Sequence, residues 1–343
     1  MSDDSPAQLS TGDWRVILTR TWHSFRISQS YDIAGTLTYY GVLSIFPALL
    51  ATLAAVGVFG SAGAGAKNVL QVAEDLGGRE FAGAMQEPLE GLVDASHAGL
   101  AFITGVVALL WAASGYLGSF GRAMNRIYGV EEGRPFWEMR PAMIGISAVL
   151  VVLVTIAAAG LVLTGPVAES VAHVLGLDEG VVFWWDLLKL PVLAGIGIVV
   201  MALLYWATPN VRRRHLRWFS VGAVAALLTW VLTTTLFGVY VFGLGQYERT
   251  YGVVGGVIAF LLWLWMSNLA MLFGAVLDTE VERARQLRAG VIAEERVQLP
   301  LRDDRLIAKN REQLARDMRA SAAMRPPTAV DGLVPSAEES RRG

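Results

Sequence analysis

Six stretches of the chain are each long and apolar enough to cross a lipid bilayer, and charged segments of opposite sign alternate between them. They run over about residues 33–59, 98–120, 142–163, 187–208, 218–242 and 253–277. A helix needs roughly 20 apolar residues to cross a hydrocarbon core of about 30 Å, and in that solvent every backbone polar group must be satisfied within the chain. The expected fold is therefore all-α, a polytopic transmembrane helical bundle of six spans with amphipathic extramembrane helices. Lys189 and Pro191 interrupt the start of the fourth stretch, making it the weakest of the six.

Basic residues fall on alternate sides of these stretches. Arg15, Arg20 and Arg26 precede the first, Arg122, Arg126, Arg134 and Arg140 follow the second, and Arg212, Arg213, Arg214 and Arg217 follow the fourth. The segments after the first and third are acidic. By the positive-inside rule both termini are cytoplasmic. Residues 1–31 then form a cytoplasmic segment, 32–285 the membrane domain, and 286–343 a cytoplasmic tail. The apolar pattern fades beyond about residue 290 and prolines appear, so most of that tail is expected to be disordered. Trp14, Ile17, Leu18, Trp22 and Phe25 recur at helical spacing among arginines, which fits a helix lying in the interface or packed on the bundle. Residues 61–97 read as one or two amphipathic helices at the outer surface.

The chain offers little for catalysis. It has no Cys, and its four His, at 23, 97, 173 and 215, are scattered over both sides of the membrane. Gly60 to Lys67 fails as a phosphate loop because Ala66 precedes the lysine and Asn68 follows it. With a net charge of −2, bulk electrostatics give no support for nucleic-acid binding. No catalytic residue, metal site or cofactor is expected, and the chain is read as no enzyme.

Polar residues inside a membrane span are functional candidates. The first span carries Thr36, Tyr39, Tyr40 and Ser44 before Pro47, and with Ser114 and Asn125 of the second it is expected to form a polar groove. Hydroxyls bonding across helices would account for the same residues. Arg122, Arg126, Arg212, Arg213 and Arg214 are placed to face anionic headgroups. Gly118, Gly252, Gly256 and Gly274 are read as close-packing positions, and Asp278 and Glu280 as a solvated helix end.

Tyr39-Tyr-Gly-Val-Leu-Ser44-Ile-Phe-Pro47, Trp111 with Asn125-Arg-Ile-Tyr128, and Tyr251-Gly252 followed by Trp263 and Gly274-Ala275 form an ordered set of motifs. Over residues 10 to 285 the chain resembles the YihY/BrkB family of bacterial inner-membrane proteins. The resemblance implies six spans, and many members carry an older ribonuclease BN label that the residue inventory does not support. Family members commonly place an acidic residue directly after the last Gly-Ala, where this chain has Val276. The expected function is movement of a lipid or other small amphiphile along a groove on spans one, two and six. A non-transporting scaffold or envelope and virulence-associated factor is the alternative. Membrane lipids are the expected partners, a homo-oligomer stays open, and nucleic acid is not expected.

Overall fold

The computed structural model describes residues 9–59, 83, 95–162, 179–212, 220–243 and 247–324. The expected outer helices within residues 61–97, and Arg213 and Arg214, fall outside or almost wholly outside that set. Helix α1 covers Thr11–Ile27, and the six spans lie on α2 (Ser30–Phe59), α3 (Ala95–Tyr128), α4 (Phe136–Val162), α5 (Glu179–Ala207), α6 (Val221–Gly243) and α7 (Tyr247–Arg288). A further helix, α8, covers Arg305–Ala323. Helices α2, α4 and α5 continue through Pro47, Pro141 and Pro191 without a break.

Consecutive spans pack on each other and α7 returns to α2, so the six close a ring, crossed by contacts of α3 with α5 and α7. Helix α1, the α3–α4 loop, residues 208–212 and the tail meet at one end, the basic end. The core fills that half. Leu117, Phe120 and Met124 of α3 meet Leu204 and Tyr205 of α5, Ala223 and Ala226 of α6, and Leu272 and Ala275 of α7. The Phe120 and Tyr205 rings stack with centroids 6.1 Å apart.

Toward the far end the ring is not filled in this way. No residue is buried from Leu187 to Val200, Leu227 to Val241 or Gly256 to Met266. Burial among the described far-end residues falls mainly on small ones where neighbours touch, such as Ala51 and Ala54 of α2 and Gly105 of α3. A Cβ on Gly105 would lie 2.9 Å from the Ala51 amide nitrogen, so α2 and α3 meet backbone to backbone.

At the basic end the expectation of a solvated helix end is overturned. Glu280 is only 2% exposed and accepts from Ser24 Oγ at 2.8 Å, Arg283 Nε at 2.9 Å and Arg20 Nε at 3.2 Å. Arg283 Nη1 also donates to the carbonyl of Ala293 at 2.8 Å, and Arg20 Nη2 to that of Glu294 at 3.0 Å. One carboxylate thus ties α1, α7 and the start of the tail together. A buried charge is tolerated when paired and hydrogen-bonded, and this one is. Asp278 is buried as well.

Helix α1 buries Ile17, Thr21 and Phe25, with Ile17 against Leu277 and Val281 of α7, while Arg15, Leu18, Trp22 and Arg26 stay exposed on the opposite stripe. It is therefore packed on the bundle with a free amphipathic face. The tail departs from expectation too. Residues 289–304 dock on the bundle and α8 follows, because their partners are main-chain groups of distant loops that no local apolar pattern reveals. Residues 325–343 lie outside the described set.

Of the glycines read as packing positions, Gly274 meets the expectation. A Cβ there would collide with the Gly222 carbonyl and Ala226, and a Cβ on Gly222 would collide with Gly274 and Asp278. Gly256 is exposed, with nothing within 4 Å of an added Cβ, so it is no packing position. Gly252 lies in the first turns of α7. Gly222→Ala and Gly274→Ala are each expected to destabilise by about 1–3 kcal/mol, and Gly256→Ala by nothing measurable. Thermal unfolding of the detergent-solubilised protein checks all three.

Candidate functional site

The burial pattern of α7 changes at Ser267-Asn268, and there the spans exchange polar contacts. Asn268 is 1% exposed; its Oδ1 accepts from Tyr116 Oη of α3 at 2.7 Å, and its Nδ2 donates to Thr38 Oγ1 of α2 at 3.2 Å. Beside it, Ser267 Oγ accepts from Trp230 Nε1 of α6 at 3.0 Å, and Trp263 Nε1 donates to Thr234 Oγ1 at 3.2 Å. Tyr205 Oη of α5 donates to the Met271 carbonyl at 2.5 Å. Helix α7 thus gathers a polar seam from four other spans, at the floor of the unfilled half. An amide inside a membrane span is costly unless satisfied, and both ends of Asn268 have partners.

The residues expected to line a groove on α2 divide between two faces. Thr36 and Tyr39 are exposed, Tyr39 by 61%, on the stripe of Asp32, Leu43 and Phe46 that points away from the bundle. Thr36 Oγ1 returns its hydrogen bond to the Asp32 carbonyl, and Ser44 Oγ to that of Tyr40. These two hydroxyls satisfy themselves locally, and Thr36 and Tyr39 do not line an internal groove. Tyr40 packs against α3, its ring 3.2 Å from where a Gly115 Cβ would stand. Pro47 is half-buried, and buried Ser114 donates to the Trp111 carbonyl. Thr38, polar like its neighbours in the sequence but not among the residues expected to line the groove, is the α2 residue that reaches the seam.

Asn125 belongs to a separate network at the basic end. Its Nδ2 donates to Glu132 at 2.8 Å and its Oδ1 accepts from the Asn210 amide at 2.7 Å. Arg134 forks onto Glu132 with two 2.8 Å bonds and donates to the Thr208 carbonyl at 2.7 Å. Asn210 in turn donates to the Asp303 carbonyl at 2.7 Å, and Arg302 donates to the carbonyls of Trp206 and Ala207 at 3.0 and 3.1 Å. Burial raises the Glu132 carboxyl, but the Arg134 and Asn125 hydrogen bonds outweigh it and hold the group below its ordinary value. Gly129, with φ +66°, ends α3 in the left-handed conformation that starts this loop.

Of the basic residues expected to face headgroups, Arg126 donates to Gln29 at 2.7 Å, while Arg122 and Arg212 are exposed. Gly118 is buried beneath Arg122, whose Nη1 lies 3.7 Å from a Cβ built there. The residues missed from sequence are Asn268, Asn210, the Glu132–Arg134 pair and Glu280. A lone Asn in the middle of an apolar span is the signal that could have found the first.

The sequence profile of the family described as Virulence factor BrkB matches residues 21–298. The ribonuclease-like protein YfkH of Bacillus subtilis is 24% identical over 270 residues, covering 79% of this chain and 96% of its own. A UPF0761 membrane protein of Alteromonas mediterranea is 30% identical over 181 residues, 50% of this chain and 56% of its own. One of Rhodospirillum centenum is 26% identical over 289 residues, 83% of this chain and 60% of its own. The matches thus span little more than half the length of these two UPF0761 relatives. No solved structure matches.

Removing one partner of a buried ion pair costs on the order of 3 kcal/mol, and Arg134→Ala is expected to lose about that much. The lowered Glu132 carboxyl contributes stability that is present above its unfolded value of about 4.3 and lost as pH falls through the folded value. The melting temperature is therefore expected to drop on acidification below about pH 4.5, and less steeply in Glu132→Gln.

Proposed function

Because the chain belongs to the BrkB virulence-factor family of membrane proteins, with six apolar spans and no activity fixed by that membership, we propose that it translocates an amphiphile, most simply a lipid or lipid-linked molecule, across the bacterial cytoplasmic membrane. The observation that carries the reading is the placing of the Thr38–Asn268–Tyr116 seam where the filled half of the ring gives way to the unfilled half. A polar portion of the cargo would meet hydrogen-bonding groups there, while its apolar portion stays beside the lipid-exposed helix faces. The closed half supplies the barrier that a translocator needs on one side.

Reconstitution into vesicles holding a fluorescent lipid reducible from outside tests this. The wild-type protein is expected to raise the accessible fraction above that of protein-free vesicles, and Asn268→Leu to slow the change about tenfold or more while remaining folded. Equal rates for wild type, variant and empty vesicles would end the reading.

Alternation of arginines supports an orientation with both termini in the cytoplasm. The chain has no native Cys, so single substitutions report sidedness directly. In intact cells an impermeant maleimide is expected to label Ala64→Cys, between the first two spans, and to label Arg296→Cys only after lysis.

The free helix α8 favours a second reading, a scaffold. From Lys309 onward it is exposed at nearly every position, including Leu314 and Met318. Ribonuclease activity, which the name of YfkH carries, forms no part of either reading; the half-buried Glu132 and the buried Glu280 are both taken up by arginine and neutral donors.

A further inference from the structure

Two arginines on the outer surface of α3 and α4 meet no counter-charge among the described residues. Arg140, in the second turn of α4, donates from Nη2 to the Trp111 carbonyl at 3.3 Å, and its guanidinium carbon lies 4.2 Å from the Trp111 ring centroid. Its Nε is buried with no acceptor. Arg122 of α3 is exposed, and its guanidinium turns back over Gly118 toward the bilayer, the direction in which helical side chains lean. Neither guanidinium meets a carboxylate among the described residues.

These groups share one face. At about 100° per residue, Gly118 and Arg122 lie within ~20° of Trp111 around α3, and Arg140 reaches the same face from α4. The stripe continues toward the far end through Val107 and Leu100, 62% and 66% exposed, so it looks into lipid. Tyr40, seated against Gly115, borders it on the α2 side. Exposed Phe136 and Trp137 at the start of α4 mark the interface, as aromatic residues do, and Arg140 stands about 6 Å along the helix from Phe136.

An arginine without a carboxylate at this depth calls for an anion, and its planar fork suits a phosphate. We propose that Arg122, Arg140 and Trp111 form a binding site for an anionic phospholipid of the leaflet at the basic end. Its phosphate accepts from the terminal nitrogens of Arg122 and Arg140, and one acyl chain lies along Val107 and Leu100. The site lies outside the ring and does not depend on transport, since it requires retention of lipid and no movement.

The test titrates phosphatidylglycerol with brominated chains into the full-length, delipidated protein, reading quenching of Trp111 as the difference between wild type and Trp111→Phe. Native mass spectrometry counts bound lipid in parallel. Arg122→Gln and Arg140→Gln are each expected to weaken retention about fivefold, with Arg140→Lys in between. Arg15→Gln, on the free face of α1, is expected to match wild type. Quenching of Trp111 that millimolar inorganic phosphate does not reverse supports a lipid. Reversal by phosphate would instead identify a free-anion site and overturn the proposal, as would equal retention of phosphatidylcholine or undiminished binding by both glutamine variants. Should a glutamine variant fail to fold, the Trp111 quenching of the wild-type protein still decides.

Discussion

Helix α5 ends inside protein, and its last carbonyls must find donors there. In a protein interior a carbonyl without a partner costs several kcal/mol, and those of the buried Ala207 and Thr208 fall beside that of Trp206. Two arginines distant in sequence supply the donors: Arg302 from the tail and Arg134 from the α3–α4 loop. Satisfying those carbonyls fixes where both segments sit. Asn210 and Asn125 join the same network, and the closed half of the ring is organised around it.

Two glycines carry a comparable constraint in apolar form. Gly222 and Gly274 let α6 and α7 approach until their backbones touch, and that approach sets α7 where Asn268 can reach both α2 and α3. The seam therefore depends on an absence of side chains less than two turns away. A substitution there would move Asn268 without touching it.

The six spans were legible because lipid leaves an unmistakable mark: roughly 20 apolar residues per crossing is a signal needing no tertiary information. The same blindness to tertiary contacts explains the misses. Thr36 and Tyr39 are as polar as Thr38, and a linear sequence does not show that only Thr38 faces the bundle. Glu280 reads as the polar end of a helix until α1 folds over it with Arg20 and Ser24. Residues 289–304 lack an apolar period because they are held through main-chain groups, leaving composition silent about their order.

Helix α7 runs 42 residues in one piece, a rod of about 63 Å. Asn268 lies near its middle, while Glu280, Arg283 and Arg288 lie 12 to 20 residues further on, clamped to α1 and the tail. An unbroken helix resists local bending, so a tilt at its membrane half swings the clamped end through a similar angle about its fulcrum. The contacts beneath the bundle then act as a brake on the lever, and a change in how firmly α1 grips Glu280 is felt where the spans meet in the bilayer.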